Sequence, residues 1–360
     1  MKAYVVEKEA LSHNIELLQK MANGVPIWAV LKGNGYGIGV LPLARHLAEA
    51  GIDHFCVTEV REAELLRENG FEDASILMLR STGDPAELNR LMDLRVILTI
   101  GSWETACAIN AIAAERADVV EAHLKIDTGM GRYGFLPAQV AEAIACYDLP
   151  NLEFTGAYTH FSSAFHDKAK TIAQLEVFKD TLAQIEKAGK TVGTRHAANS
   201  PALLNVEHVA LDAVRIGSAF TGRVITHSET PLHRLGRLEA EVVDMKEVPA
   251  GYAVGYNGTF VTKRPTTIAI VPMGHYDGFG LTKEKEDHNF HSVLSALKQF
   301  LNKAHLTVTI NGKAYPVIGE VGLSHTAVDV TGSSVQPGDI ATCDLSPLLV
   351  NPRVPRVYTE

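Results

Sequence analysis

Between residue 10 and about residue 225 two hydrophobic periods take turns along the chain, and few architectures accept that pattern. Leu11, Ile15 and Leu18 recur at helical spacing with Ser12 as a candidate cap, and the β-rich run Pro26-Ile27-Trp28-Ala29-Val30-Leu31 follows between Gly24 and Gly33. The exchange repeats, with short runs near 53–57, 75–79, 95–99, 120–126, 153–159, 191–195 and 209–215. Helix-patterned stretches lie between them, such as Leu43-Leu47-Ala50 before Gly51 and Val60-Ala63-Leu66 before Asn69-Gly70, each closed by a glycine suited to the end of a helix. Periodicity alone fits both a doubly wound open sheet and a closed barrel. The strand count favours the α/β class in its (β/α)8 TIM-barrel form over residues 1–225.

After residue 226 helical spacing largely gives way to alternating strands, apart from a helix expected at Ser292–Lys303. LTVTI, Asn311-Gly312 and KAYPVI spell a two-residue hairpin, because Asn-Gly supplies two left-handed positions. Pro249-Ala250-Gly251 and Pro337-Gly338-Asp339 read as further turns. Residues 226–360 are therefore expected to form a smaller, mostly β C-terminal domain.

Composition removes several classes of function. The hydrophobic share is 46% and the charged share 21%, as in an ordinary globular protein. With 33 Lys+Arg against 42 Asp+Glu the net charge is −9, which argues against a nucleic-acid or anionic-membrane partner. The 4 cysteines are widely spaced, so neither a zinc site nor a disulfide frame is indicated. His123 and His325 lack a second ligand at metal spacing; both are read as structural, and no metal is expected. The N-terminus has charges within its first apolar run and no stretch is long enough to span a membrane, so a cytoplasmic location is expected. The acidic run Lys283–Asp287 reads as a solvated loop.

Candidate chemistry gathers where the barrel strands end. Lys32 follows the first strand and opens a loop with glycines at 33, 35, 37 and 39, which let the backbone approach a ligand. Alone it would be read as a solvated lysine. However, Ile126-Asp127-Thr128-Gly129-Met130-Gly131-Arg132 closes the fifth strand and Tyr158-Thr159-His160-Phe161 the sixth. His196-Ala197-Ala198-Asn199-Ser200-Pro201 follows the seventh and Val214-Arg215-Ile216-Gly217-Ser218 the eighth. One mouth would then hold an amine able to form a Schiff base, two guanidinium groups, an imidazole, and small residues where barrels commonly bind phosphate. Pyridoxal 5'-phosphate (PLP) offers an aldehyde, a pyridine nitrogen, a phenolate and a phosphate to match.

The segments VLKGNGYG, KIDTGMGRYGF, YTHF, HAANSPA and VRIG, in this order over residues 30–217, resemble the motifs of the alanine racemase family of fold-type III PLP enzymes. The similarity extends through VGYNGTF, GHYDG and RVPR of the β domain. It implies that Lys32 carries the cofactor and is one of two catalytic bases, and that Tyr256, reaching in from a partner subunit, is the other. A homodimer with shared active sites follows. The resemblance assigns Tyr36, Ser200, Ile216 and Gly217 to the cofactor phosphate, with Asn199 in the same cofactor-binding motif. It assigns Arg215 to the pyridine nitrogen, Arg132 to the phenolic oxygen and His160 to a hydrogen bond near the tyrosine. Lys125 matches a lysine that is carbamylated in some members, where the anion would hold Arg132.

The pattern breaks at the substrate pocket. Family members acting on alanine usually carry a Met-Asp pair there, preceded by an arginine; this chain has Gly319-Glu320-Val321-Gly322-Leu323-Ser324-His325. Pro352 and His275 stand where gate tyrosines are expected. The pocket would thus be formed by Arg132, Leu323, Ser324 and Pro352. Alanine leads as substrate, with serine or a larger amino acid as the alternative. Two other readings are a PLP-binding barrel without racemase activity, disfavoured by the β domain and Tyr256, and a decarboxylase, suggested faintly by Thr342-Cys343-Asp344-Leu345-Ser346.

Overall fold

The computed structural model describes residues 1–224, 230–281 and 306–360. The expected helix at 292–303 and the acidic run at 283–287 lie outside the described residues. Contacts divide the chain into two compact units, residues 9–235 and residues 1–8 with 236–360. The first strand, β1 (Lys2–Glu7), thus belongs with the β unit and not with the barrel, where the expected boundary had placed it. Its residues Ala3 to Val6 are all buried, and its backbone groups need a partner on each side.

The larger unit carries eight parallel strands: β2 (Ile27–Val30), β3 (His54–Val57), β4 (Ser75–Met78), β5 (Leu98–Ile100), β6 (Val120–Lys125), β7 (Leu152–Tyr158), β8 (Thr194–His196) and β9 (Val214–Ile216). They form two four-stranded runs, β4-β3-β2-β9 and β5-β6-β7-β8. Parallel bridges Leu77 to Ile97 and His196 to Ala213 join the runs at both ends, so the sheet closes and has no free edge. Helices such as Val40–Glu49 and Lys168–Lys187 occupy the crossovers, and the helix Lys8–Ala22 precedes the first barrel strand. The first helix starts at Lys8, so Ser12 is not its cap. Leu11 is already a core residue in the first turn, and Ser12 Oγ lies 3.1 Å from His46 Nε2 instead. Trp28, Val30, Cys56, Leu77, Ile97, Tyr158 and Ala213 fill the barrel interior.

The other unit is β-rich. Its strands are β10 (Arg237–Glu241), β11 (Asp244–Val248), β12 (Ala253–Val254), β13 (Phe260–Val261), β14 (Thr266–Val271), β15 (Thr307–Ile310), β16 (Lys313–Ile318), β17 (Thr326–Asp329), β18 (Ile340–Cys343) and β19 (Arg356–Thr359). Among the described residues a nine-stranded sheet runs β11-β14-β17-β16-β15-β18-β10-β1-β19, with β12 and β13 paired separately. The Asn311-Gly312 hairpin forms as read, with φ of 51° and 75°. Among the described residues no helix is long and apolar enough to cross a membrane.

Candidate active site

Beyond β2 the backbone does something L-residues rarely do. Gly33, Asn34, Gly35 and Tyr36 take φ of 64°, 57°, 61° and 52°, a left-handed turn that costs least at the two glycines. This turn sets Lys32 and Tyr36 on one cavity of about 350 Å³ at the C-terminal ends of the strands. Also lining it are Arg132, His160, Asn199, Ser200, Arg215 and Gly217 from the expected set, and Lys125 at the end of β6. Ile216 is a buried strand residue beside Arg215 and Gly217 and is not among the lining side chains. Thr58, Arg80, Tyr133, Tyr158 and Ser218 also line it, with Val30, Leu79 and Pro201.

The electrostatics are one-sided. Lys32, Arg80, Lys125, Arg132 and Arg215 line the cavity, and no Asp or Glu is among the described lining residues. Burial, and then Arg132, hold the Lys32 amine below its ordinary range, against Glu62, which raises it. Lys125 lies 4.9 Å from the Tyr158 ring and 5.4 Å from that of Tyr133; burial first, then Arg215, Arg132 and Lys32, bring its pKa down to about 7. Burial pushes the Tyr36 phenol up to about 12, so it is a hydrogen-bonding group and not a base.

Arg215 is buried without a carboxylate partner among the described residues. Its Nη1 donates to His196 Nδ1 at 2.8 Å and to the His196 carbonyl at 2.9 Å. Its Nη2 donates to the Thr159 carbonyl at 2.6 Å and the Ala197 carbonyl at 3.2 Å. Four of its five N–H groups are thus taken by neutral acceptors, and Nε–H remains. Ser200 Oγ accepts the N–H groups of Gly217 at 3.1 Å and Ala219 at 3.4 Å. A Cβ on Gly217 would fall 2.4 Å from the Tyr36 ring, so only glycine admits the phenol here. Asn199 accepts the Ala202 N–H at 3.1 Å and caps the following helix.

The remaining expected residues belong to the β unit. Tyr256 sits in a tight turn at 71% exposure and Leu323 at 67%. Their loops are neighbours: a Cβ on Gly255 would meet the Glu320 nitrogen at 3.2 Å, and one on Gly274, beside His275, would meet Leu323 at 2.4 Å. Ser324 Oγ lies 3.0 Å from His325 Nδ1, and Pro352 is exposed beside Asn351, which donates to the Tyr276 carbonyl. Sequence reasoning missed Arg80 and Thr58. Arg80 follows β4 as Lys32 follows β2, and that strand-end position was the available signal; its Nε donates to the Thr58 carbonyl and its Nη groups grip Glu87 at 2.7 and 2.8 Å.

A closed eight-stranded α/β barrel with two lysines and three arginines at its mouth, followed in sequence by a β unit, defines a two-domain class with an amine-centred, anion-seeking site. The family models divide the chain in the same way. The model described as alanine racemase, N-terminal domain, matches residues 6–224 and that for the C-terminal domain matches residues 235–345. The alanine racemase of Desulforamulus reducens is 34% identical over 333 residues, covering 90% of this chain and 84% of that one. That of Chlorobaculum tepidum is 33% identical over 339 residues, covering 92% and 83%. The solved alanine racemase of Streptomyces coelicolor aligns with a TM-score of 0.85 at 26% identity, covering 100% of this chain and 98% of that one. This chain belongs to the alanine racemase family.

Proposed function

We propose that this protein is a PLP-dependent amino-acid racemase that inverts its substrate with two bases, Lys32 and Tyr256 of the partner subunit. The observation that carries the reading is a cavity with no carboxylate among its described lining residues, shared by a half-buried lysine of lowered pKa and a buried arginine with one N–H left to give. The donor set suits PLP: Lys32 for the aldehyde, the Nε–H of Arg215 for the ring nitrogen, Arg132 for the phenolic oxygen, and Tyr36, Ser200 and Gly217 for the phosphate. Asn199 supports the last group by capping the helix that Ser200 begins, and Ile216 by fixing the backbone between Arg215 and Gly217.

When bound, PLP supplies a carbonyl for the substrate's amino group and a ring that draws electron density from its α carbon. Arg215 shapes how far that goes. A guanidinium keeps its proton, so it hydrogen-bonds to the ring nitrogen without protonating it, and return of a proton is favoured over other outcomes. Lys32 Nζ moves a proton on one face of the α carbon and the Tyr256 hydroxyl on the other, which inverts the centre. His160 supports the tyrosine. Lys125, a near-neutral amine, is suited to react with CO₂, and its carbamate would hold Arg132.

Alanine leads as substrate because the similar proteins are alanine racemases. Serine or a larger amino acid is the second reading, favoured by Glu320, Leu323, Ser324, Pro352 and His275. The test is incubation with PLP and a panel of L-amino acids in D₂O. Deuterium entering the α position together with the D-enantiomer identifies chemistry and substrate. No exchange with any amino acid leaves a PLP-binding barrel and removes the racemase. With Tyr256→Phe, proton handling should fail on one face while PLP still binds; equal loss of both would make the tyrosine structural.

A further inference from the structure

We propose that His123 is a positioning residue: it fixes the tautomer of His196 and, through it, the aim of Arg215. None of the steps above uses His123, which the sequence marks only as a buried strand residue. In the barrel its Nδ1 lies 2.9 Å from His196 Nε2, and His196 Nδ1 lies 2.8 Å from Arg215 Nη1. A guanidinium can only donate. His196 Nδ1 must therefore present its lone pair, and a neutral ring then carries its proton on Nε2. That proton needs an acceptor, and His123 Nδ1 is the one within reach. Only this order of protons satisfies all three groups. The reverse order would set an N–H of His196 against an N–H of Arg215 in a buried site, which is costly.

The surroundings hold the arrangement. His196 is stacked between Tyr158, with centroids 4.9 Å apart at 17°, and Trp28, 5.8 Å apart at 10°, so its ring cannot turn over freely. Room for the His123 ring is made by the backbone: a Cβ on Gly156 would fall 2.6 to 2.8 Å from three of its atoms. At the same place the register of β6 against β7 slips between Ala122 and His123, a local irregularity of the kind that re-aims a side chain. Burial keeps both rings neutral in the ordinary pH range, in agreement with the donor count. The consequence reaches the cavity. The His196 ring takes one of the four Nη hydrogens of Arg215 and its carbonyl a second, and it is the full engagement of those four that leaves Nε–H as the group directed to the ligand.

The test begins without cofactor, on protein labelled with ¹⁵N in histidine. The ring resonances of His196 should report protonated Nε2 and bare Nδ1, and those of His123 bare Nδ1. His123→Leu removes the acceptor and should abolish the His196 preference, whereas His123→Asn places an acceptor oxygen near the position of Nδ1 and should restore it. Gly156→Ala, which displaces the ring without changing its chemistry, should behave like His123→Leu. A second arm rests on the PLP reading above: His123→Leu should weaken PLP binding about tenfold, the loss expected when a hydrogen bond to a charged group is broken, and His123→Asn should recover most of it. A proton on His196 Nδ1 in the wild-type protein overturns the proposal, as does a His123→Leu protein with the His196 tautomer unchanged. Should His123→Leu not fold, the wild-type and His123→Asn spectra decide. The spectra need no cofactor, so failure of PLP to bind would count against the PLP reading and leave the tautomer result standing.

Discussion

Lys125 gives the sharpest quantitative expectation, because it is a buried cation without a carboxylate. Its Nζ touches the Leu79 carbonyl at 3.4 Å and two aromatic faces, and the residue is 4% exposed. With its pKa moved from 10.5 to about 7, the charged form in the folded protein is penalised by about 5 kcal/mol. The sign follows from proton counting. Between the two values the unfolded chain holds the proton and the folded chain does not, so stability rises with pH across this window. Below pH 7 both states are protonated and the full penalty applies; above 10.5 neither is, and it vanishes. Lys125→Met removes the charge at nearly constant volume and loses cation–π attraction worth about 0.5–2 kcal/mol. It should therefore stabilise the cofactor-free protein by about 3 kcal/mol at pH 6 and by progressively less at pH 8 and 10. Urea unfolding of both proteins in CO₂-free buffer measures this. A gain that is absent at pH 6, or equal at all three pH values, would refute the reasoning.

Two further substitutions probe the walls. Gly217→Ala should push the Tyr36 ring out of place, at an overpacking cost of about 1–3 kcal/mol, and weaken PLP binding by an amount titration can read; unchanged binding would separate Tyr36 from the cofactor. Arg80 and Thr82 hold the Glu87 carboxyl down at about 2, so the pair contributes stability above pH 4.5 that is lost as pH falls through about 2. Because Glu87 is 34% exposed, solvent screening reduces the contribution to about 1 kcal/mol. Glu87→Gln should lose about that at pH 7 and less at pH 3 in urea unfolding, and an equal loss at both would show that charge is not its cause.

The barrel was legible because each strand end carries its own punctuation. Gly33, Gly217 and the alternation around them mark where strand stops and loop begins, and the count of eight such exchanges favours a closed barrel over an open doubly wound sheet. The order of β1 was not legible: KAYVVE reads as any buried strand, and only pairing with β10 and β19 assigns it to the β unit. Lys32, Arg132 and Arg215 were found because each sits in a motif at a strand end. Arg80 was missed since its segment, LRST, has no such motif; His123 reads as structural, and its partner His196, 73 residues away, leaves no sign of the pairing in the sequence. His123 on β6 and His196 on β8 meet only when the sheet forms, a long-range pairing that no single segment of the sequence displays.

Of the five cations at the mouth, Arg80 is ion-paired with Glu87, whereas Lys32, Lys125, Arg132 and Arg215 have no ion pair among the described residues. Asp127 is the nearest acid in sequence to Arg132, yet its carboxylate accepts the N–H groups of Gly129, Met130 and Arg132 at 2.7 to 2.9 Å. Glu62 similarly accepts from the backbone of Thr58 and Glu59. Both acids fix loops through backbone N–H groups and offset the lysines only in part: Glu62 raises the pKa of Lys32 and Asp127 that of Lys125, each against larger lowering effects. Arg215 meets only neutral acceptors, and burial first, then the neighbouring guanidinium groups, lower the pKa of both lysines. A cavity with no carboxylate among its described lining residues would be relieved of crowding its cations by the anionic ligand proposed above. The same arithmetic explains why a chain with net charge −9 can hold an anion-binding site: the relevant charge is the handful of groups within a Debye length of the mouth, not the sum over the chain.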